Sequence, residues 1–168
     1  MKYIAFLVAS SWATNVLAAT AWENYLDLPT PANAALVQTI EYSAPVMGGY
    51  DAGDLDILEA QIRAADAQAF RLAYRLYTKA DGGLAEELGV MLGRVVRVHP
   101  AFFLAQVSAL KVQCEKFKWP LNASGLEYVD RIEAQVYEIN QRREALKSVT
   151  DENLISIRDQ CIRQFVRQ

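Results

Sequence analysis

One histidine, two cysteines and five prolines are spread over 168 residues, and each scarcity removes a class of chemistry. His99 has no second histidine with which to share a metal or relay a proton. The nearest acidic residues in sequence, Glu86, Glu87 and Glu115, lie more than a helical turn from it. Covalent haem attachment needs C-x-x-C-H, whereas Cys114 and Cys161 stand dozens of positions apart. Haem held by His99 with Met47 or Met91 has no positive support, and zinc would need carboxylates to complete its ligand set. No cofactor is expected. An excess of positive charge is also missing: 17 basic and 20 acidic residues are well mixed and leave a net charge of -3. A face that tracks phosphates is therefore not indicated, and nucleic acid is not an expected partner. Finally, no stretch alternates with period two long enough to argue for a sheet.

Residues 1–21 differ from everything after them. Lys2 is their sole charge, and Tyr3 to Ala21 is apolar, small or uncharged polar. A basic start, an apolar middle and small residues near a cleavage point make a secretory signal peptide. Ala19-Thr20-Ala21 supplies an A-x-A site that leaves a chain starting at Trp22, and cleavage after Ala18 is the alternative. Ser10, Ser11, Thr14 and Asn15 dilute the run below what a spanning helix prefers, so no stable membrane insertion is expected once it is removed. Residues 22–168 then form a single helical domain in the periplasm or outside the cell. Export makes Cys114 and Cys161 an even pair in an oxidising compartment, which favours a disulfide over two buried thiols.

What is abundant is helical periodicity over a composition that is 52% hydrophobic. Thr30 before Pro31 starts a helix with Leu36, Val37 and Ile40 on its stripe, stopped by Pro45. The glycine-rich segment from Pro45 to Asp54 is irregular. From Asp54, Leu55, Leu58, Ile62 and Ala65 form a stripe, with Glu59 paired to Arg63. Asp66 caps the next helix, whose apolar residues on two sides imply packing between neighbours. After the Asp81-Gly82-Gly83 turn, Leu84, Leu88, Met91, Val95 and Val98 make the cleanest stripe, and Gly89 and Gly93 would let a partner helix approach closely. Phe103, Val107, Leu110 and Cys114 follow the His99-Pro100 break. Trp119-Pro120 is read as a further break, and Ser124 to Glu127 as a capping box opening a helix with Val129, Ile132, Val136, Ile139 and Leu146. Glu127 to Arg131 and Glu138 to Arg142 are placed on its exposed faces. Leu154, Ile157, Cys161 and Phe165 line a last helix. The fold class is all-α, a compact array of about six or seven antiparallel helices, HEAT-like or an orthogonal bundle.

Candidate sites are few. His99 precedes a proline, which places it at a helix junction, where it can meet carbonyls at a helix end. Asp51 to Asp56 departs from a calcium loop, since Gly53 falls third and Asp56 sixth, and reads as a turn ending in capping aspartates. Glu86 and Glu87 are neighbours on a helix, point apart and so would not flank one substrate. Tyr74, Tyr77, Phe102, Phe103 and Trp119 could line a ligand groove, though core packing is the better reading of such aromatics. Asn122-Ala-Ser124 matches a glycosylation acceptor, with Ser124 better explained as a cap.

Residues 65–107 combine a small-residue and aromatic helix, a D-G-G turn, a leucine helix and an H-P break into another apolar helix. This quarter of the chain resembles the helical hairpins of HEAT-like α-solenoid proteins of bacterial envelopes. The resemblance implies a scaffold for contacts without fixed chemistry, and the lack of a clean second copy argues against a long solenoid. The expectation is an exported, non-enzymatic domain that binds an envelope or secreted protein as inhibitor, immunity-type factor or adaptor. The alternative is a small-ligand binder with an aromatic-lined groove, with Tyr74, Tyr77, His99, Phe102 and Trp119 the residues to watch.

Overall fold

The computed structural model describes residues 21–39, 52–125 and 128–166. Residues 1–20 of the signal-peptide reading, residues 45–51 of the irregular segment, and the Ile40 and Glu127 assignments fall outside them, while residues 52–54, read as irregular, are helical. The described residues are all-α and contain no strand. In chain order they are α1 (21–27), α2 (Pro31–Thr39), α3 (Ala52–Arg63), α4 (Ala67–Tyr77), α5 (Gly82–Val98), α6 (Pro100–Ala109), a 3₁₀ turn (Cys114–Phe117), α7 (Lys118–Asn122), α8 (Ile132–Lys147) and α9 (Ile155–Ile162). None of these helices is long and apolar enough to cross a membrane.

Helix α5 is the centre of the array and touches α3, α4, α6, α7 and α8. Its sequence explains why. Leu84, Leu88, Met91 and Val95 bury one stripe, while Leu92, Val96 and the glycines Gly89 and Gly93 bury a second. A Cβ at Gly89 would overlap the Trp119 ring, and one at Gly93 would overlap the Pro120 carbonyl and the Arg142 guanidinium. Removing those side chains lets α7 lie directly on the α5 backbone. Val98, expected to continue the stripe, is instead exposed at the helix end, as is Leu36 on α2.

The junctions follow local chemistry. Thr30 Oγ1 accepts from Asn33 N at the start of α2, and Asp66 accepts from the amides of Gln68 and Ala69 at the start of α4. Helix α3 closes with paired bonds, Asp66 N to Gln61 O and Ala65 N to Ile62 O, a Schellman motif that puts Ala65 at φ 61°. Lys111 takes the same left-handed conformation after α6, at φ 55°. That reversal ends α6 at Ala109, so Cys114 lies on the 3₁₀ turn rather than on the α6 stripe. Cys114 is nevertheless buried, and it is bridged to Cys161 of α9 with Cα atoms 5.1 Å apart.

Three other expectations are corrected. Trp119-Pro120 does not break the chain but sits in the first turn of α7, where proline gives up no intrahelical bond. The capping box does not open α8: residues 128–131 form a turn and the helix starts at Ile132, leaving Val129 and Ile132 exposed. Helix α3 begins at Ala52, so Asp54 and Asp56 lie inside it rather than capping it.

Beneath α5, an aromatic cluster joins α4, α6 and the 3₁₀ turn. Phe103 meets Phe117 edge-on at 5.3 Å, Phe70 meets Phe103 edge-on at 6.0 Å, and Tyr74 stacks on Phe117 at 4.9 Å. These rings place the disulfide against the core and hold the α6 to α7 connection beside α5.

Candidate functional site

The outward face of α5 between α3 and α7 carries the candidate site. Helix α7 is fixed there from two directions. The Trp119 ring rests over Gly89 and stacks on Tyr77 at 6.5 Å. The buried Arg142 reaches across from α8, donating through Nη1 to Pro120 O at 3.1 Å and to Ala123 O at 2.7 Å. Asn122 ties the end of α7 to the last described segment, donating to Gln164 O at 3.1 Å and accepting from Val166 N at 2.9 Å. The acceptor-pattern asparagine thus has a structural use within the fold.

Arg142 is answered by Glu138, one helical turn earlier, whose Oε1 accepts from Nε at 3.1 Å. Glu138 also accepts from Arg97 of α5. The pairing expected from the i,i+4 spacing is therefore present, but on the inner face: Arg142 is fully buried and Glu138 nearly so. Burial pulls the Arg142 pKa down, opposed by the charge and hydrogen bond of Glu138.

Two recesses flank this arrangement. The first, about 570 Å³, runs along α5 on the turn-by-turn row Gly83, Glu86/Glu87, Val90/Met91 and Arg94, with Leu55, Asp56 and Glu59 of α3 opposite and Trp119 at its wall. Glu86 and Glu87, expected from sequence to point apart, both border this recess, which extends over several turns of α5. Four carboxylates line it against one arginine, and Glu59 is bound to that arginine, Arg94, at 3.0 Å. The expected Glu59 to Arg63 contact is longer, at 3.9 Å. The carboxylates are spread out: among the described residues no three His, Cys, Asp or Glu side chains gather as a metal ion would require.

The second recess, about 330 Å³, gathers Arg63, Arg94, Arg97 and Arg142 with Glu138, Ser124 and Tyr128. It shares Arg94 and Ser124 with the first. Ser124, read from sequence as a helix cap, is a wall residue common to both. Sequence reasoning missed this arginine cluster entirely, since its members come from three helices and no local spacing joins them.

Of Tyr74, Tyr77, His99, Phe102 and Trp119, only Trp119 lines either recess; it is 43% exposed. Tyr77 supports it from behind. Tyr74 and Phe102 are partly buried against the core, Phe102 meeting Phe70 edge-on at 5.8 Å, and Phe103 is fully buried. His99 caps the C-terminal end of α5 and the N-terminal end of α6. Its Nε2 lies 2.9 Å from Arg63 O. A carbonyl only accepts, so Nε2 carries the proton there and satisfies a carbonyl at the end of α3. The histidine serves a helix end, as its position before proline implies, but the end of α3 rather than of its own helix. The five residues do not meet in one groove. No family model, no curated protein and no solved structure matches this chain.

Proposed function

We propose that this chain is an exported, non-enzymatic binding domain that recognises an envelope or secreted protein, and that the recess between α3, α5 and α7 takes a lysine- or arginine-bearing segment of that partner. The observation that carries the reading is a half-exposed tryptophan beside four carboxylates on a rigid helical wall. An exposed, well-supported tryptophan is a typical interface anchor, and its cationic neighbours would stack on the ring while pairing with Asp56, Glu86 and Glu87. An inhibitor, an immunity-type factor or an adaptor would all use such a surface. The composition of residues 1–21 supports export, and the Cys114–Cys161 bridge is compatible with an oxidising compartment. The hairpin resemblance over residues 65–107 belongs with the same reading, as a scaffold that presents contacts.

The test is capture of a protein partner from envelope extract by the wild-type chain and by two folded variants, Trp119→Ala and the charge reversal Glu86→Lys/Glu87→Lys. Expected is a partner retained by the wild type and weakened at least about tenfold by either variant, with strong salt dependence. Repeated capture of nothing, or retention indifferent to both variants, rejects the proposal. The volume of the recess also suits a small organic cation. A thermal-shift screen in which such a molecule stabilises the chain while no protein is captured would favour that alternative.

A further inference from the structure

The two recesses are stretches of one groove. Both take residues from α3 and α5, and Arg94 and Ser124 line both. Two contacts fix how these helices run. His99 Nε2, at the end of α5, lies 2.9 Å from Arg63 O, at the end of α3. About one turn back on each helix, Arg94 meets Glu59 at 3.0 Å. The two helices therefore lie side by side in the same direction, and charge is ordered along the groove between them. Toward the start of α5, the carboxylates of Asp56, Glu86 and Glu87 line the wall and have no ion-pair partner among the described residues. Glu86 and Glu87 lie beyond the first turn of α5, which holds no acidic residue, so a helix dipole that falls off within that turn does not account for them. Midway, Trp119 rests over Gly89, with Leu55 and Met91 beside it on the wall. Toward the end of α5 stand Arg63 and Arg97, with side chains 62% and 45% exposed. Arg63 is 3.9 Å from Glu59, which lies closer to Arg94. Arg97 bonds Glu138 through Nη1 and keeps further N–H donors on its exposed side chain.

We propose that the groove takes a bipolar peptide segment, which builds on the partner reading above: a lysine or arginine against Asp56, Glu86 and Glu87, and a carboxylate against Arg63 and Arg97. A segment with cations along its whole length would bring positive charge onto the exposed guanidinium groups. A wholly acidic one would meet Glu86 and Glu87 with the same penalty. Opposite charges at the two ends avoid both and fix the register of the segment. Glu86 and Arg97 are eleven positions apart on α5, which at 1.5 Å per residue separates the two ends by about 16 Å. An extended segment covers that length in about five residues and a helical one in about eleven.

The experiment selects a phage-displayed library of random peptides, about 16 residues long to allow either conformation, on the whole chain with its disulfide intact. The enriched peptide is then synthesised and titrated. Expected are peptides that carry a basic and an acidic residue at a fixed separation, a short one for an extended segment and a long one for a helix. Replacing either charged residue of the peptide by an uncharged one should weaken binding about tenfold. Double-mutant cycles locate the ends: the acidic residue should couple to Arg63→Gln/Arg97→Gln, the basic residue to Glu86→Gln/Glu87→Gln, and the crossed combinations should be additive. Arg63→Gln alone keeps the acidic coupling measurable should the double variant lose its helical circular dichroism. Enrichment of peptides with basic residues only, bound equally well by Arg63→Gln/Arg97→Gln, overturns the bipolar segment and leaves the cationic partner reading in place. Charges at no fixed separation, coupling in the crossed combinations, or a selection that enriches nothing also overturns it, and capture from envelope extract decides the broader reading separately.

Discussion

Arg142 carries a full charge into a place where no part of its side chain meets solvent. Such a group is tolerable only while Glu138 and the α7 carbonyls surround it. Glu138→Gln should therefore destabilise the protein by about 3 kcal/mol, measured by urea unfolding, because it leaves a buried cation without its counter-charge. Glu144→Gln, which removes an exposed partner of Lys147, should change stability by less than about 0.5 kcal/mol. If the two variants behave alike, the inner pair is not desolvated. The contrast also marks what could be read from the chain at this scale. The i,i+4 spacing identifies both Glu138–Arg142 and its helical direction, but spacing carries no information about which face is turned inward. Helix α8 alternates charged and apolar residues so evenly around its circumference that neither face announces itself. His99 was easier, because the proline after it restricts its backbone whatever it contacts.

At the scale of elements, most helices were legible because their apolar stripes and caps agree: Thr30, Asp66 and the 84/88/91/95 row all act as their positions imply. The misreadings cluster where tertiary contact overrides a local signal. Trp119-Pro120 looks like a break, yet the glycines of α5 accept a one-turn helix there. Gly93→Ala tests that dependence. The added methyl meets backbone of α7 and the buried Arg142 head, neither of which can swing aside, so a loss of about 2 kcal/mol is expected despite alanine's better helix propensity. A neutral or stabilising result would mean that α7 does not sit on α5 as described. The turn after α3 predicts the opposite sign. Ala65 holds a left-handed conformation that penalises a Cβ, and Ala65→Gly should stabilise by about 1 kcal/mol, less the entropy of the freer unfolded chain. A lower melting temperature for this variant would show that the strain at Ala65 is smaller than the entropy it saves. The recesses themselves were illegible for a related reason: each is assembled from α3, α5 and the segment after α7, and apart from Met91 the α5 residues that line the first recess lie off the stripe that periodicity picks out.

For the whole molecule, the pairing of Cys114 with Cys161 was readable, since two cysteines allow a single connectivity, whereas nothing in the periodicity fixes which helices share α5. The bridge closes a span of 47 residues. Double replacement by serine should cost about 4 kcal/mol in the chain-entropy account, read as a lower urea midpoint. An unchanged midpoint would mean that the core of Phe70, Phe103 and Phe117 holds the ends together without the covalent link. Alkaline titration reports on the other large-scale property, the enclosure of tyrosines between α1, α4 and the 3₁₀ turn. Burial raises the Tyr25 pKa well above the ordinary value of 10.0, with the charge of Asp66 adding to it. Burial also raises Tyr74 and Tyr77, the latter with a contribution from Tyr74. In the unfolded chain these hydroxyls ionise near pH 10.0, while the folded state retains their protons to higher pH. Above that point the folded state binds more protons, so the stabilisation present below about pH 10 is lost as pH rises further. The melting temperature should therefore fall steeply above about pH 10. Tyr25 contributes most to this edge, and its buried hydroxyl has no partner among the described residues. Tyr25→Phe should leave neutral stability equal or higher and make the alkaline fall shallower, both read from melting curves across the same pH series. An alkaline slope identical to that of the wild type would place Tyr25 in contact with water and remove α1 from the enclosed core.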